Sequence, residues 1–250
     1  MTTETLTALV EMTRTLGAPE REYVIIGEGN TSARIDDETF WVKASGRGMH
    51  GIDASGFVQT RFAPLLDALD QTDAAAMQEA MRTAKVDADA PTKPSIEASF
   101  HAMLLADCGA NWIAHTHPVL VNQIMCSTRA EQFAKNRMFP DDVVLCGPEL
   151  VFVPYADPGL PLALAIRMQV KAYMKKHGEA PKVILLGNHG LITLGQTPAD
   201  ALNITAMCVK AAGIFVGACA VGEPTFLSEA DVMHIYKRPD EIYRRRMFAE

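Results

Sequence analysis

The chain reads as an α/β protein, and two observations carry that reading. Apolar stripes at helical spacing alternate with short apolar runs of strand length, each bounded by Gly, Pro, Asn or Asp. Hydrophobic residues make up 48 % of 250 positions and charged residues 21 %, a balance that supports a sizeable core and argues against wholesale disorder. That length suits one large α/β domain or two small ones.

Thr3 to Leu16 carries Leu6, Leu9, Val10, Met12 and Leu16 on a helical stripe, and Gly17 and Pro19 end it. Tyr23-Val24-Ile25-Ile26 reads as a short buried strand. A Gly/Asn-rich turn, residues 27–32, leads into a second strand around Ala33 to Ile35. Asp36-Asp37-Glu38 makes a hairpin tip before a strand at Phe40 to Lys43, which Ala44-Ser45-Gly46-Arg47-Gly48 stops. Helices are expected over 64–69 and 73–84, then a polar connector over 87–94. Ser95 is placed to cap a helix from Ile96 to about Ala106. Glu97 would lie in its first turn, where the helix dipole favours a carboxylate, with His101 on the same face.

Trp112 to Thr116 reads as a strand and Val119 to Met125 as a helix. Strands are expected at 142–145, 149–154, 182–186 and 191–194, and a long amphipathic helix over 162–176. Residues 198–221 form a long, mostly apolar helix packed across the sheet or between subunits. The charged tail, 228–250, reads as helical and clusters Lys237, Arg238, Arg244, Arg245 and Arg246.

Composition narrows the function. A net charge of −7 argues against nucleic acid as the main partner. The five cysteines are odd in number and form no C-x-x-C, so neither a disulfide framework nor a cysteine zinc site is expected. The N-terminus lacks the basic start and apolar core of a secretory signal. No apolar run is expected to approach the ~20 residues of a membrane span. The expected location is the cytoplasm.

Histidines carry the chemical signal. In His115-Thr116-His117-Pro118 the two rings are two residues apart on a strand and share a face. His189, in Gly187-Asn188-His189-Gly190, sits between two apolar runs. Together they offer three imidazole nitrogens and an open position, the pattern of a catalytic metal centre rather than a closed structural one. Separate structural histidines are the alternative. His50, His177 and His234 lack such context and are expected to face solvent. His101 either orients Glu97 or a ligand from behind, or closes a hydrogen bond in the core. The loops at 27–32 and 43–48 combine glycines with Asn, Ser and Lys, a chemistry suited to an anion; two ordinary turns are the alternative.

The order Gly29-Asn30-x-Ser32, Lys43-Ala44-Ser45-Gly46, Pro94-Ser95-x-Glu97-x-x-x-His101, His115-x-His117-Pro118 and Asn188-His189-Gly190 resembles the class II aldolase/adducin family over nearly the whole chain. The resemblance implies one domain over residues 1–250, a three-layer α/β/α sandwich around a mostly antiparallel sheet, and a homotetramer. It implies that His115, His117 and His189 hold a divalent metal, Zn2+ first and Mn2+ or Co2+ as alternatives, and that Glu97 is the catalytic acid/base. Asn30, Lys43, Ser45, Gly46 and Ser95 would hold a small, anionic substrate. The implied activity is a metal-dependent lyase breaking a carbon–carbon bond through an enediolate, foremost an aldolase on a ketose phosphate or related hydroxy-keto compound. A decarboxylase of a keto or hydroxyaromatic acid is the second reading, and a non-catalytic adducin-like assembly module the third.

Three departures bear on the reaction. Epimerases of the family carry Asp where Glu97 stands. Fuculose-phosphate aldolase has a serine where Ile96 stands. Family aldolases also place a tyrosine after the histidine pair, and none lies between Ser127 and Val144. Tyr236 or Tyr243 from a neighbouring subunit could take that part.

Overall fold

A computed structural model describes residues 2–248. Seven strands form one sheet in the order β3-β2-β1-β4-β7-β6-β5. They are β1 (Asn30–Arg34), β2 (Thr39–Lys43), β3 (Phe57–Arg61), β4 (Trp112–Thr116), β5 (Val151–Val153), β6 (Val183–Leu186) and β7 (Gly190–Gly195). Every neighbouring pair is antiparallel except β5 with β6. The sheet is therefore mixed and mostly antiparallel, as expected.

Helices cover both faces. On one lie α2 (Phe62–Gln71), α3 (Ala74–Thr83), α4 (Ala98–Asp107) and α8 (Leu160–His177), whose Leu65, Phe100, Leu104 and Ile166 pack with Phe40, Ile113 and Ile192 of the sheet. On the other lie α1 (Thr2–Leu16), α5 (Val119–Met125), α6 (Ala130–Lys135), α7 (Pro140–Cys146) and α9 (Pro198–Val221). There Leu9 and Met12 meet Ala33 and Ala114, while Ile204 and Phe215 meet Leu185 and Leu191. Strand residues alternate between the two layers, which is why period-two patterning and three layers go together. Two final helices, α10 (Glu229–Lys237) and α11 (Pro239–Phe248), pack on α7. The tail is thus helical as read, residues 249–250 lying outside the described part.

Four expectations about the elements fail, each for a physical reason. Residues 23–26 form no strand: Tyr23 is buried, but Ile25 and Ile26 are 65 % and 93 % exposed and Ile26 has a φ of 53°. Residues 142–145 are helical, because Pro140 starts the helix and Asp141 and Asp142 occupy its first turn; the Val143-Val144 pair pointed the other way. Helix α4 starts at Ala98, not Ile96, so Glu97 is its capping residue and lies just outside the first turn. Finally, α9 is long and apolar enough to cross a membrane by length and composition, contrary to the composition reading. It packs across β4 and β7 and against α5 and α7, burying Ile204, Cys208, Ala211 and Phe215. In addition, β3 was not anticipated, and His177 is half-buried on the Tyr173 ring, 3.2 Å from Glu149, rather than solvent-facing.

Candidate metal centre and its surroundings

The centre of the sheet positions the site. Strand β4 lies between β1 and β7, pairing His115 with Asn30 on one side and with Ile192 on the other. The turn from β6 to β7 delivers His189. Asn188 takes a left-handed φ of 53° there, a conformation asparagine tolerates better than most residues. Asn122 on α5 then donates its side-chain N–H to the His189 carbonyl at 3.0 Å, tying the turn down.

The structure brings the three histidines together. One ligating nitrogen from each of His115, His117 and His189 lies within 4.8 Å of the others. His115 Nδ1 is 3.0 Å from the Leu191 carbonyl, to which it can only donate. Its Nε2 is then bare, 3.1 Å from His117 Nε2, while His117 Nδ1 faces Glu28 at 3.8 Å. Burial is the main force pushing His115 down to about 3 and His117 to about 4, with neighbouring imidazoles adding to it. Both rings are therefore neutral near pH 7. The bare Nε2 of His115, 3.1 Å from His117 Nε2, suits a shared cation, since adjacent ligands of a tetrahedral zinc ion are ~3.4 Å apart.

Glu97 stands over this cluster. One carboxylate oxygen is 3.4 Å from His115 Nε2 and the other 3.5 Å from His189 Nε2. The side chain is buried, and Asn30 Nδ2 donates to it at 2.7 Å. The same Nδ2 donates to Ser95 Oγ at 3.2 Å. Asn30 and Ser95 thus lie beside Glu97 and the histidine cluster.

Lys43, Ser45 and Gly46 belong to a separate feature. Residues 43–45 pair with 93–95 through Ser45 N–H to the Lys93 carbonyl, 2.9 Å, and Ser95 N–H to the Lys43 carbonyl, 3.2 Å. Lys43 is buried, and its ammonium donates to the carbonyls of Gly27, at 3.5 Å, and Arg47. It ties the two glycine-rich loops together. Burial lowers its pKa to about 8, against the pull of Glu97. Ser45 and Gly46 are exposed on the loop.

A cavity of about 800 Å³ opens beside His117. Glu22, Glu28, His50 and Asn122 supply its polar lining, and Val24, Ile25, Ile26 and Val119 much of its apolar wall. Its volume suits a small molecule.

The model of the Class II Aldolase and Adducin N-terminal domain matches residues 7–216. The chain belongs to this family. A Bacillus subtilis protein described as the uncharacterized oxidoreductase YuxG is 28 % identical over 201 residues, covering 76 % of this chain but 26 % of that protein, so the chain spans about a quarter of that relative's length. The 3-oxo-tetronate 4-phosphate decarboxylase of Haemophilus influenzae is 25 % identical over 197 residues, 78 % of this chain and 80 % of that one. Among solved structures, an L-fuculose 1-phosphate aldolase superposes with a TM-score of 0.70 over 94 % of this chain and 95 % of its own, at 18 % identity. At that identity the likeness speaks for the class II aldolase fold.

Two contributors to the site escaped the sequence reading, and a third was part of a motif but had no role assigned. Glu28 reaches His117, Asn122 anchors the His189 turn, and Gly190 makes room. A Cβ on Gly190 would lie 2.6 Å from the Thr116 carbonyl and 2.7 Å from the His117 ring. Only the last had a visible signal, as the glycine following His189.

Proposed function

We propose that the protein is a metal-dependent lyase that breaks a carbon–carbon bond next to a carbonyl, by aldol cleavage of a ketose phosphate or a related hydroxy-keto compound. The observation that carries this reading is the convergence of His115, His117 and His189 with the Glu97 carboxylate 3.4 and 3.5 Å from two of them. His115, His117 and His189 would hold the cation, Zn2+ first and Mn2+ or Co2+ as alternatives. When bound, it would supply Lewis-acid charge for a substrate carbonyl oxygen. Glu97 would take the hydroxyl proton as the carbon–carbon bond breaks and return a proton to the carbon left behind. Its buried position, with one oxygen held by Asn30, fixes it for that transfer. The exposed loop of Ser45 and Gly46, with Ser95 beside it, would meet the anionic end of the substrate. A homotetramer is expected of the assembled enzyme, testable by light scattering.

Decarboxylation is the second reading, and two observations favour it. The Haemophilus influenzae relative is named as a decarboxylase. Three of the five tyrosines are held away from the His115, His117 and His189 cluster: Tyr155 donates to Asp157 at 2.9 Å, Tyr173 packs its ring on His177, and Tyr236 is paired with Glu179. Loss of carbon dioxide asks for one proton at the carbon left behind, which Glu97 would take up from solvent and pass on.

The test is metal analysis of the purified protein, followed by a panel containing L-fuculose 1-phosphate, other ketose phosphates, 3-oxo-tetronate 4-phosphate and hydroxyaromatic acids. Aldehyde release that a chelator abolishes supports the first reading. Carbon dioxide release supports the second. A metal-free protein indifferent to chelator would sink both in favour of an adducin-like assembly role.

A further inference from the structure

We propose that the cavity beside His117 receives an uncharged, mainly apolar part of the substrate, and that Val24, Ile25, Ile26 and Val119 select for it. Under the lyase reading, on which this rests, that part is the fragment released as the aldehyde. The cavity measures about 800 Å³ and includes His117, one of the three candidate metal ligands, in its lining. A molecule held at the histidine cluster can therefore extend into it. Among the described residues no lysine or arginine lines it, whereas Glu22 and Glu28 do. A phosphate or carboxylate entering it would lose water against apolar walls and find no cation in exchange. An aliphatic or aromatic group gains there by leaving water. The two ends of a substrate are thus sorted, the anionic one toward the loop of Ser45 and Gly46 and the apolar one into the cavity.

The apolar wall is held in place although it faces water. Ile25 and Ile26 are both exposed, and Ile26 keeps a φ of 53°, a region that a β-branched residue enters only at a cost. The turn around it is fixed from several sides. Glu28 N–H donates to the Ile25 carbonyl at 3.0 Å, and Ile25 N–H donates to the Glu28 carboxyl at 3.0 Å. The Lys43 ammonium holds the Gly27 carbonyl at 3.5 Å. Gly48 lies so close behind that a Cβ there would be 2.6 Å from the Ile26 carbonyl oxygen. A strained turn that keeps two large apolar side chains out of the core is the kind of feature that gathers at ligand clamps.

The wall is also tied to the candidate metal ligand. His117 N–H donates to the Tyr23 carbonyl at 2.8 Å, and Val119 N–H donates to the Glu22 carbonyl at 3.2 Å. Residues 22–24 are therefore bonded to the His117 segment on both sides of Pro118. A group lying on Val24 to Ile26 sits at a set distance from the histidine cluster, which is what placing a reacting bond there requires.

Two measurements test this. The first needs neither metal nor turnover. Protein labelled with 13C at its isoleucine δ1 methyls is titrated with benzyl alcohol and, separately, with benzoate. The Ile25 and Ile26 signals, assigned with the Ile25→Val and Ile26→Val variants, should move to saturation with benzyl alcohol and need about tenfold more benzoate, if they respond to it at all. An equal response to the two, or none to benzyl alcohol, would overturn the proposal. Signals that move on dilution of the protein and ignore benzyl alcohol would put a second copy of the chain on the wall, and overturn it too. The second measurement uses zinc-loaded protein and hydroxamates, whose paired oxygens chelate zinc. By calorimetry, phenylacetohydroxamate should bind about tenfold tighter than acetohydroxamate, and succinic monohydroxamate, with its carboxylate tail, no tighter. Combining Ile25→Ser with Ile26→Gly removes both side chains and relieves the positive φ. The ratio of phenyl to methyl affinities should then fall to about twofold or less, with zinc content unchanged. A ratio that survives would move the apolar fragment off this wall. Protein that takes up no zinc fails the lyase reading, and the methyl titration alone then decides what the cavity accepts.

Discussion

Two parts of this molecule use glycine and polar side chains for opposite ends. At the histidine cluster, space is fixed. Gly190 has no room for a Cβ, and the rings beside it are held by strand pairing and by the Leu191 carbonyl. At Ser45 and Gly46, the tip of the 44–48 loop, space is open. Gly46 has a φ of +75° and nothing within 4 Å of where a Cβ would stand, and the residues around it are exposed. One glycine permits close approach and the other permits a turn. The contrast places the demand for geometric accuracy at the histidines and Glu97, and leaves adaptability to the loops. It also orders the effects of substitution.

The largest effect is expected from His117→Ala, which removes one of three converging nitrogens. Metal content and activity should fall together, by more than the roughly 10- to 100-fold that loss of an outer partner costs. Full metal occupancy in that variant, measured by elemental analysis, would place the cation elsewhere. Glu97→Gln comes next. It keeps the size and the Asn30 contact while removing the base, so turnover should fall by about 10² or more with metal retained. A rate near that of the wild type would move the proton transfer to another group.

Gly190→Ala separates the two regions directly. An added Cβ at 2.6 Å from the Thr116 carbonyl and 2.7 Å from the His117 ring forces β7 or the ring to shift, a cost of about 1–3 kcal/mol. Denaturant unfolding should show that loss together with weaker metal binding. Gly46→Ala meets only the strain of its positive φ, on the order of 1 kcal/mol, and should leave metal binding untouched. Equal effects on metal affinity would erase the distinction drawn between the regions.

Acid stability tests the same contrast without a substitution. His101 and His115 are held down to about 3 and His117 to about 4, mainly by burial, against an ordinary 6.5. The unfolded chain takes up their protons below pH 6.5 while the folded chain does not. Their contribution is therefore intact above pH 6.5 and is lost as the pH falls toward 4 and 3. Each histidine should cost the metal-free protein about 2 kcal/mol between pH 7.5 and pH 5. Stability that is flat over that range would mean the rings are more accessible than their burial indicates.

Much of the site was visible in the one-dimensional pattern because it depends on short-range spacing. His115 and His117 share a face by strand geometry alone, and Glu97 with His101 by helix geometry. What spacing cannot reveal is contact between distant segments. Glu28 meets His117, and Asn122 the His189 carbonyl, only because β4 is threaded between β1 and β7. The fold misreadings share a cause as well. Val143-Val144 and Tyr23 to Ile26 have strand composition, but Pro140 with two aspartates wins in the first case. In the second, exposure of Ile25 and Ile26 beside the cavity removes the burial that would favour a strand.

The smallest stability change is expected at Lys43, although its side chain is the more deeply buried feature of the loops. Its ammonium gains two carbonyl acceptors and loses its hydration, and these terms oppose each other. Replacement by methionine fills the same volume, removes the desolvation cost and frees the two loops. Unfolding free energy near pH 7 should change by no more than about 1 kcal/mol. KM for an anionic substrate should rise, because the Gly27 and Arg47 carbonyls lose their common donor. The sign with pH is fixed by the lowered value of about 8 against 10.5. The wild-type amine favours the fold above pH 10.5 and loses that advantage as the pH falls through 8. Lys43→Met should therefore compare better with the wild type at pH 7 than at pH 10. The reverse order would show that the carbonyl contacts outweigh burial, and that the loops are as firmly built as the histidine corner.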